Sequence, residues 1–305
     1  MWNELLIDPD GSIYSCCHSS PALLGNIYDD KLCDVCNGET IQKMRKHSLE
    51  GKLHCYEKCT LFDKKASQEC VQHHDVFADF QGYEKLLIRV GTRCNIRCVM
   101  CGSAQNKGNV LDFDKIKDNL TIDPFEKIVL TGGEPLAMPS AKRIFDHVAE
   151  AGKQVSMMSN GVLINDEWAE KIAAHSRFIY ISLNAASQET HEMINVGSNW
   201  EKVLGNIQRV RKARSRLGTN VSIHGHMTIV HSGDCSNVHE IGDFIRNFRS
   251  FGCDVISFGY TRKIPGLFKE NPDLFKKTKA DVADAIESCG GKIAPLRLKL
   301  LKLWQ

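Results

Sequence analysis

Three cysteines are the residues most able to do chemistry in this chain. Cys94, Cys98 and Cys101 fall in a C-x3-C-x2-C pattern, directly behind the apolar run Leu86-Leu87-Ile88-Arg89-Val90 and a Gly91-Thr92 break. Three thiols so spaced can fold around one metal centre. A [4Fe–4S] cluster takes one ligand per iron, normally a cysteine thiolate. Three cysteines therefore leave one iron open to bind something else. The same residues admit a structural zinc knot or a set of buried, inert thiols. Zinc asks for a fourth Cys or His nearby, and none lies within ten residues on either side.

The rest of the composition narrows the setting. The chain has 305 residues and thirteen cysteines, ten of them at or before Cys101: Cys16, Cys17, Cys33, Cys36, Cys55, Cys59, Cys70, Cys94, Cys98 and Cys101. A net charge of +2 supplies no global field for nucleic acid or a membrane surface, and neither partner is expected. No run approaches eighteen consecutive apolar residues. The opening Met1-Trp2-Asn3-Glu4 lacks the basic start and apolar stretch of a signal peptide. The expectation is a cytoplasmic protein, in which clustered cysteines serve as metal ligands or catalytic groups rather than disulfides.

Elements must position those thiols, and the pattern from Glu84 onward supplies them. Strands are expected at Lys85–Val90, Lys127–Leu130, Gln154–Met158, Phe178–Leu183, Asn220–Val230 and Val255–Phe258. Helices are expected at Ala141–Ala151, Asp166–His175, Trp200–Arg214 and Val238–Phe251, with a further one at Phe275–Ser288. Six strand–helix units in series argue for an α/β fold with parallel strands and helical crossovers. In α/β barrels the chemistry collects at the C-terminal strand ends, and the polar surprises of this sequence fall there. The first strand ends in the cysteine loop. The second ends in Thr131-Gly132-Gly133-Glu134-Pro135, whose glycines let backbone approach a ligand closely. The third ends in Ser159-Asn160-Gly161, the fourth in Ser182-Leu183-Asn184 and the sixth in Gly259-Tyr260. Each of these polar residues also has a plain reading as a turn or capping residue.

The front of the chain reads differently. Leu5–Ile7, a turn at Asp8-Pro9-Asp10-Gly11 and Ser12–Tyr14 predict a β-hairpin. A short extended piece at Leu24–Ile27 and a helix from Thr40 to Leu49 follow, with Gly51 behind it. The segment is too short and polar to bury much core, so a bound metal would help hold it.

Cys94/Cys98/Cys101 followed by Gly132-Gly133-Glu134-Pro135 at the next strand end resembles the radical S-adenosylmethionine (SAM) enzymes. That resemblance implies a partial (β/α)6 TIM-like barrel over residues 81–262. It implies a [4Fe–4S] cluster on Cys94, Cys98 and Cys101, with the amino and carboxylate groups of SAM on the open iron. Gly132, Gly133, Glu134, Ser159, Asn160, Ser182, Asn184 and Tyr260 match positions where the family contacts SAM. The family reaction is reductive cleavage of SAM to a 5′-deoxyadenosyl radical that abstracts a substrate hydrogen. Two residues depart from the common pattern: Met100 stands where an aromatic residue is frequent, and Asn195 where many members carry an arginine.

Residues 1–80 resemble the SPASM/twitch auxiliary domain of the same enzymes. The matching pieces are Asp8-Pro9-Asp10-Gly11, Tyr14-Ser15-Cys16-Cys17, Gly25-Asn26-Ile27, Arg45, Gly51 and the pair Cys55/Cys59. A second, auxiliary [4Fe–4S] cluster is implied, with ligands drawn from Cys16, Cys17, Cys55, Cys59 and Cys70; zinc is the alternative there. Cys33 and Cys36 have ligand-like spacing but fall where the family has a packing segment. Residues 263–305 are expected to form a helical extension.

The expected activity is that of an oxidoreductase or maturase which modifies a peptide or protein side chain by oxidation, cross-linking or epimerisation. Oxidation or rearrangement of a sugar, nucleoside or other small metabolite is the alternative. A non-catalytic iron–sulfur binding or sensing protein is the alternative of another class. A reductant such as flavodoxin or ferredoxin is implied as a partner. His224 and His226 alternate on the fifth strand and would share a face. Cys235, Cys253 and Cys289 read as buried free thiols. The basic run Arg209 to Arg216 reads as a solvated helix end.

Overall fold

The computed structural model describes residues 2–16, 22–50, 52, 75–102 and 108–289. The front of the chain holds β1 (Glu4–Ile7), β2 (Ser12–Tyr14), β3 (Gly25–Asn26), α1 (Leu32–Val35) and α2 (Glu39–Leu49). Next come β4 (Lys85–Arg89), β5 (Arg97–Cys98), α3 (Phe113–Ile116), β6 (Lys127–Thr131), α4 (Pro139–Glu150) and β7 (Val155–Ser159). They are followed by α5 (Asp166–His175), β8 (Phe178–Ser182), α6 (Gln188–Ile194), β9 (Asn195–Val196), α7 (Trp200–Leu217) and β10 (Ser222–Ile229). The back holds β11 (His231–Ser232), β12 (Cys235–Ser236), α8 (Ile241–Asn247), β13 (Val255–Tyr260), α9 (Ile264–Glu270) and α10 (Pro272–Ser288). Two compact units result: Met1–Thr92 with Lys107–Gly133 and Met138–Val155, and Arg93–Asn106 with Glu134–Ala137 and Ser156–Gln305.

In the first unit β4 lies parallel to β6, with Leu86 opposite Ile128 and Ile88 opposite Leu130. The front hairpin continues this sheet. β1 runs parallel to β4, with Leu5 opposite Leu86, and β2 and β3 follow antiparallel. Gly11 at φ +88° closes the hairpin turn by donating its N–H to Asp8 O at 2.9 Å. Leu5, Ile7, Ile13, Leu86, Ile88, Ile128 and Leu130 are wholly buried. α2 buries Ile41, Met44, Arg45 and Ser48, one face at helical spacing. Arg45 spends its charge locally: it donates to Cys36 O at 2.9 Å, Asn37 Oδ1 at 2.9 Å and Tyr83 Oη at 2.5 Å. Those bonds fasten α1 and α2 to the chain that enters β4.

In the second unit β7, β8, β10 and β13 are parallel and in consecutive register, so Ser182, His226 and Ser257 form one row. Alternation along these strands sorts their two faces. Ile179, Ile181, Ile223, Met227, Ile256 and Phe258 are buried. Tyr180, Ser182, His224, His226, Thr228 and Ser257 occupy the opposite, half-buried face. Helix boundaries follow capping chemistry. Asn165, Ser187 and Asn199 accept N–H groups at the starts of α5, α6 and α7. Gly218, at φ +65°, ends α7.

The expected helix Val238–Phe251 is shorter than the pattern suggested: a tight turn over Val238–Glu240 leads into α8, which ends at Asn247. The start is fixed from outside the helix, because Glu240 accepts Ala186 N at 2.6 Å and Asn237 donates to Asn184 O at 2.7 Å. α10 packs on α8 through Arg246, which reaches Asp281 and Asp284 at 2.7 Å each. Among the described residues no helix is long and apolar enough to cross a membrane.

Candidate metal centre

Cys94, Cys98 and Cys101 belong to the second unit and are free thiols, Cys94 and Cys101 exposed and Cys98 half-buried. Backbone pairing shapes their loop. β5 lies antiparallel to β9, with Cys98 opposite Asn195, and Val99 N donates to Ile194 O at 2.9 Å. Cys101 N turns back onto Cys98 O at 3.1 Å. Side chains repeat the tie: the Cys98 thiol donates to Asn195 Oδ1 at 3.3 Å, and Asn160 Nδ2 lies 3.8 Å from Cys94 Sγ while donating to Asn95 Oδ1 at 2.8 Å. Burial pushes the Cys98 thiol up to about 12 and the Cys94 thiol upward as well. At Cys94 and Cys98 burial thus favours the protonated thiol, and a metal would have to displace those protons.

The donor set fits a four-iron cluster. Among the described residues no group of three or more His, Cys, Asp or Glu side chains converges on a single ion. A four-iron cluster does not need such convergence, because each thiolate takes a different iron. Three thiols on one loop, two of them exposed, meet that demand and leave the fourth iron open.

The strand-end residues named above form a tightly used set. Glu134 is wholly buried. Its Oε1 accepts the Ser159 hydroxyl at 2.9 Å and Leu136 N at 3.1 Å, and its Oε2 accepts Asn160 N at 2.7 Å. Burial pushes this carboxyl up to about 7, against three donors that favour its charged form. Ser159 Oγ also accepts Gly161 N, and Asn160 Oδ1 accepts Val162 N, each at 3.0 Å. Asn184 is buried at φ +60°; its Oδ1 accepts Thr228 N at 2.8 Å and its Nδ2 donates to Asn195 Oδ1 at 2.9 Å. The fold thus gathers Cys94, Cys98, Glu134, Ser159, Asn160 and Asn184 into two hydrogen-bonded groups that meet at the cysteine loop. Ser182 and Tyr260 are half-buried on β8 and β13, and their side chains stand outside those groups, although Ser182 O accepts Asn195 Nδ2 at 3.4 Å.

Gly132 and Gly133 belong to the first unit, where the approach they permit is to backbone. Gly133 N donates to Gly91 O at 2.8 Å. A Cβ on Gly132, which sits at φ +135°, would lie 2.3 Å from that same oxygen. Cys16 is half-buried behind β2, whereas Cys17, Cys55, Cys59 and Cys70 lie outside the described residues. Cys36 is buried beside Leu32 and Val35, donates its thiol to Cys33 O at 3.0 Å and is pushed up to about 11 by burial.

Three polar residues carry the site's framework without any sequence motif to mark them. His191 is wholly buried, with Nδ1 2.6 Å from Leu183 O and Nε2 2.8 Å from Ser198 Oγ. Asn237 and Glu240 hold the loop behind β8, as described above. Only Glu240 falls within a helix expected from the sequence, so no shared signal marks the three. His226 pairs with Ser257 Oγ at 2.8 Å, and His224 lies against Tyr180, with ring centroids 4.7 Å apart.

Comparison with known proteins adds the family. The model of the radical SAM superfamily matches residues 88–231, which hold the cysteine loop and the strand ends through β10, and an iron–sulfur cluster-binding domain model (SPASM) matches residues 1–61. Residues 88–231 belong to the radical SAM enzyme superfamily. The chain's mixed α/β architecture, with parallel strands in each unit, agrees with that superfamily, and the two matches imply a [4Fe–4S] cluster and SAM as its cofactors. The radical SAM chain is 30% identical over 138 residues to an AdoMet-dependent heme synthase of Methanosarcina barkeri, covering 43% of this chain and 40% of the relative. It is 27% identical over 176 residues to the antilisterial bacteriocin subtilosin biosynthesis protein AlbA of Bacillus subtilis, covering 55% of this chain and 37% of the relative. The chain therefore spans about two fifths of the length of these relatives. Streptococcus suis SuiB bound to S-adenosylmethionine superposes with a TM-score of 0.50 at 13% identity, over 93% of this chain and 68% of that one, a likeness of fold.

Proposed function

We propose that this radical SAM chain cleaves SAM reductively and removes a hydrogen atom from a peptide or protein side chain. The observation that carries the reading is the loop of three free thiols tied by Asn160 and Asn195 to the strand ends. Cys94, Cys98 and Cys101 would hold the cluster, leaving one iron for SAM. Bound there, cluster and SAM together supply one-electron reduction and a carbon radical able to take a hydrogen atom. The chain's own residues do the positioning. Glu134 fixes the end of β7 through Ser159 and Asn160 N, which brings the Asn160 amide to the loop. Ser182 and Tyr260, whose hydroxyls are not part of that framework, are the groups left to meet the nucleoside part of SAM. Glu134 would contribute backbone groups, and Asn184 would act through Asn195.

A peptide or protein substrate is supported by the AlbA likeness, since that relative is named for bacteriocin biosynthesis. A small-molecule substrate is the second reading, favoured by the 30% identity to a heme synthase. An auxiliary [4Fe–4S] cluster on Cys16 or Cys17 with Cys55, Cys59 and Cys70 is supported by the match over residues 1–61, which covers all of these but Cys70. The buried Cys36 thiol favours packing for the Cys33/Cys36 pair. A flavodoxin or ferredoxin in a reducing compartment would supply the electron and suits free thiols.

The test is anaerobic reconstitution with iron and sulfide, followed by SAM and dithionite. 5′-Deoxyadenosine should form in the wild-type protein and vanish in Cys98→Ala. A reconstituted, reduced wild type that yields none would remove the enzyme reading in favour of a binding or sensing protein. Deuterium transfer from labelled candidate peptides into 5′-deoxyadenosine then separates the two substrate classes.

A further inference from the structure

Asn195 is 1% exposed and sits opposite Cys98 in the β5–β9 pairing, with its side-chain oxygen 3.3 Å from the sulfur. Which end of its carboxamide faces the sulfur is decided by neighbours. Nδ2 faces Leu183 O at 3.1 Å and Ser182 O at 3.4 Å, two groups that can only accept. Oδ1 faces Asn184 Nδ2 at 2.9 Å. That nitrogen is itself fixed as a donor, because Asn184 Oδ1 accepts the backbone N–H of Thr228 at 2.8 Å. His191 completes the lock: its Nδ1 donates to Leu183 O, which keeps that carbonyl in place above the Asn195 amide. Turning the Asn195 amide over would set oxygen against two carbonyls and NH2 against NH2, which outweighs the one contact it would gain with His191 Nδ1–H, 3.2 Å away. What Asn195 turns toward the Cys98 sulfur is therefore its carbonyl-type oxygen and not its N–H.

We propose that Asn195 is a positioning residue for the cluster loop, whose locked carboxamide presents an oxygen to Cys98 and so keeps the reduction potential of a cluster bound there low. The inference rests on the assignment of Cys94, Cys98 and Cys101 under Proposed function. Its physical basis is the sign of the dipole. N–H groups directed at cluster sulfurs stabilise the extra electron of the reduced state and raise the potential. An oxygen-first amide does the opposite, and burial leaves little water to screen it. A low potential is what reduction of a sulfonium requires from its donor. Asn184, and through it the Thr228 N–H of β10, is the second tier of the same device.

The full chain and its Asn195→Ala and Asn195→Leu variants would be reconstituted anaerobically and assayed for iron and sulfide. The cluster midpoint would then be read by EPR-monitored redox titration. The signal that changes on adding SAM, and that Cys98→Ala abolishes, identifies the cluster on this loop. Removing the oxygen should move that midpoint to less negative values in both variants. In Asn195→Ala a water can enter and donate to the sulfur, since Leu183 O, Ser182 O and Asn184 Nδ2 offer it partners. Asn195→Leu fills the space without a dipole, and it carries the test alone if the alanine variant fails to hold iron. A midpoint that stays at the wild-type value, or becomes more negative, in an iron-replete variant overturns the proposal, because a purely packing role would alter melting temperature and not potential. If the wild type itself binds no cluster on this loop, the assignment of the three cysteines fails first. If it binds one and the midpoints coincide, only the role of Asn195 fails.

Discussion

Glu134 shows how much a single buried side chain does for this site. Its carboxyl, normally near 4.5, is pushed up to about 7 by burial, so the folded chain holds that proton where the unfolded chain would release it. The stabilisation is complete below the ordinary value and is lost as pH rises through about 7. The melting temperature of the cluster-free protein should fall over that window, by an amount equivalent to about 3 kcal/mol, and Glu134→Gln should flatten the slope. Thermal melts in a pH series check both. Ser159→Ala is a second case. It deletes the donor to Glu134 Oε1 and the acceptor for Gly161 N, and should cost about 1–3 kcal/mol in denaturant titration. Neither effect could be assigned from the sequence. A Gly-Gly-Glu stretch at a strand end marks the residue, and the direction its carboxylate turns depends on β7, which follows about 25 residues later.

At the scale of elements, the strand ends are joined by side chains acting as backbone substitutes. Asn184 holds φ +60°, and it is the one such non-glycine among the described residues. Asparagine tolerates that region better than alanine, and here its amide also caps Thr228 N and reaches Asn195. Asn184→Ala should therefore destabilise more than Asn184→Gly, by about 1 kcal/mol, because glycine loses the hydrogen bonds without the strain. Denaturant midpoints of the two variants decide it, and equal values would show that backbone strain plays no part. Gly132→Ala is the harsher test within the first unit. A Cβ 2.3 Å from Gly91 O cannot be accommodated without moving the end of β4 or β6, and the soluble yield and melting temperature of that variant should drop sharply.

For the molecule as a whole, the prediction concerns metal count. Two clusters require about eight irons per chain and one requires about four. Reconstituted wild type should approach the higher figure. Replacing Cys94, Cys98 and Cys101 together should leave about four, and further replacing Cys55 and Cys59 should remove those as well. Iron and acid-labile sulfide assays give the answer directly. A wild type that holds about four irons, all lost with the loop cysteines, would leave the front segment without a cluster.

The sequence by itself determined the family and the order of strands and helices in this protein. Thiol spacing is local along the chain, so Cys94, Cys98 and Cys101, read together with Gly132-Gly133-Glu134-Pro135, are enough to bring out the family resemblance. Strand alternation and helix periodicity are local too, which is why all six expected strands, from β4 to β13, formed within two residues of their expected bounds. Only the tertiary structure decided which polar groups remain free to meet a ligand and which are consumed by one another. Cys98 and Asn195 are 97 residues apart in sequence, and Asn184 and Thr228 are 44 apart. Hydrogen bonds across such separations are set by strand register and by the turn each side chain takes at a strand end. For that reason Asn195, which in the sequence was a departure from the family pattern, is in the fold the residue that faces Cys98.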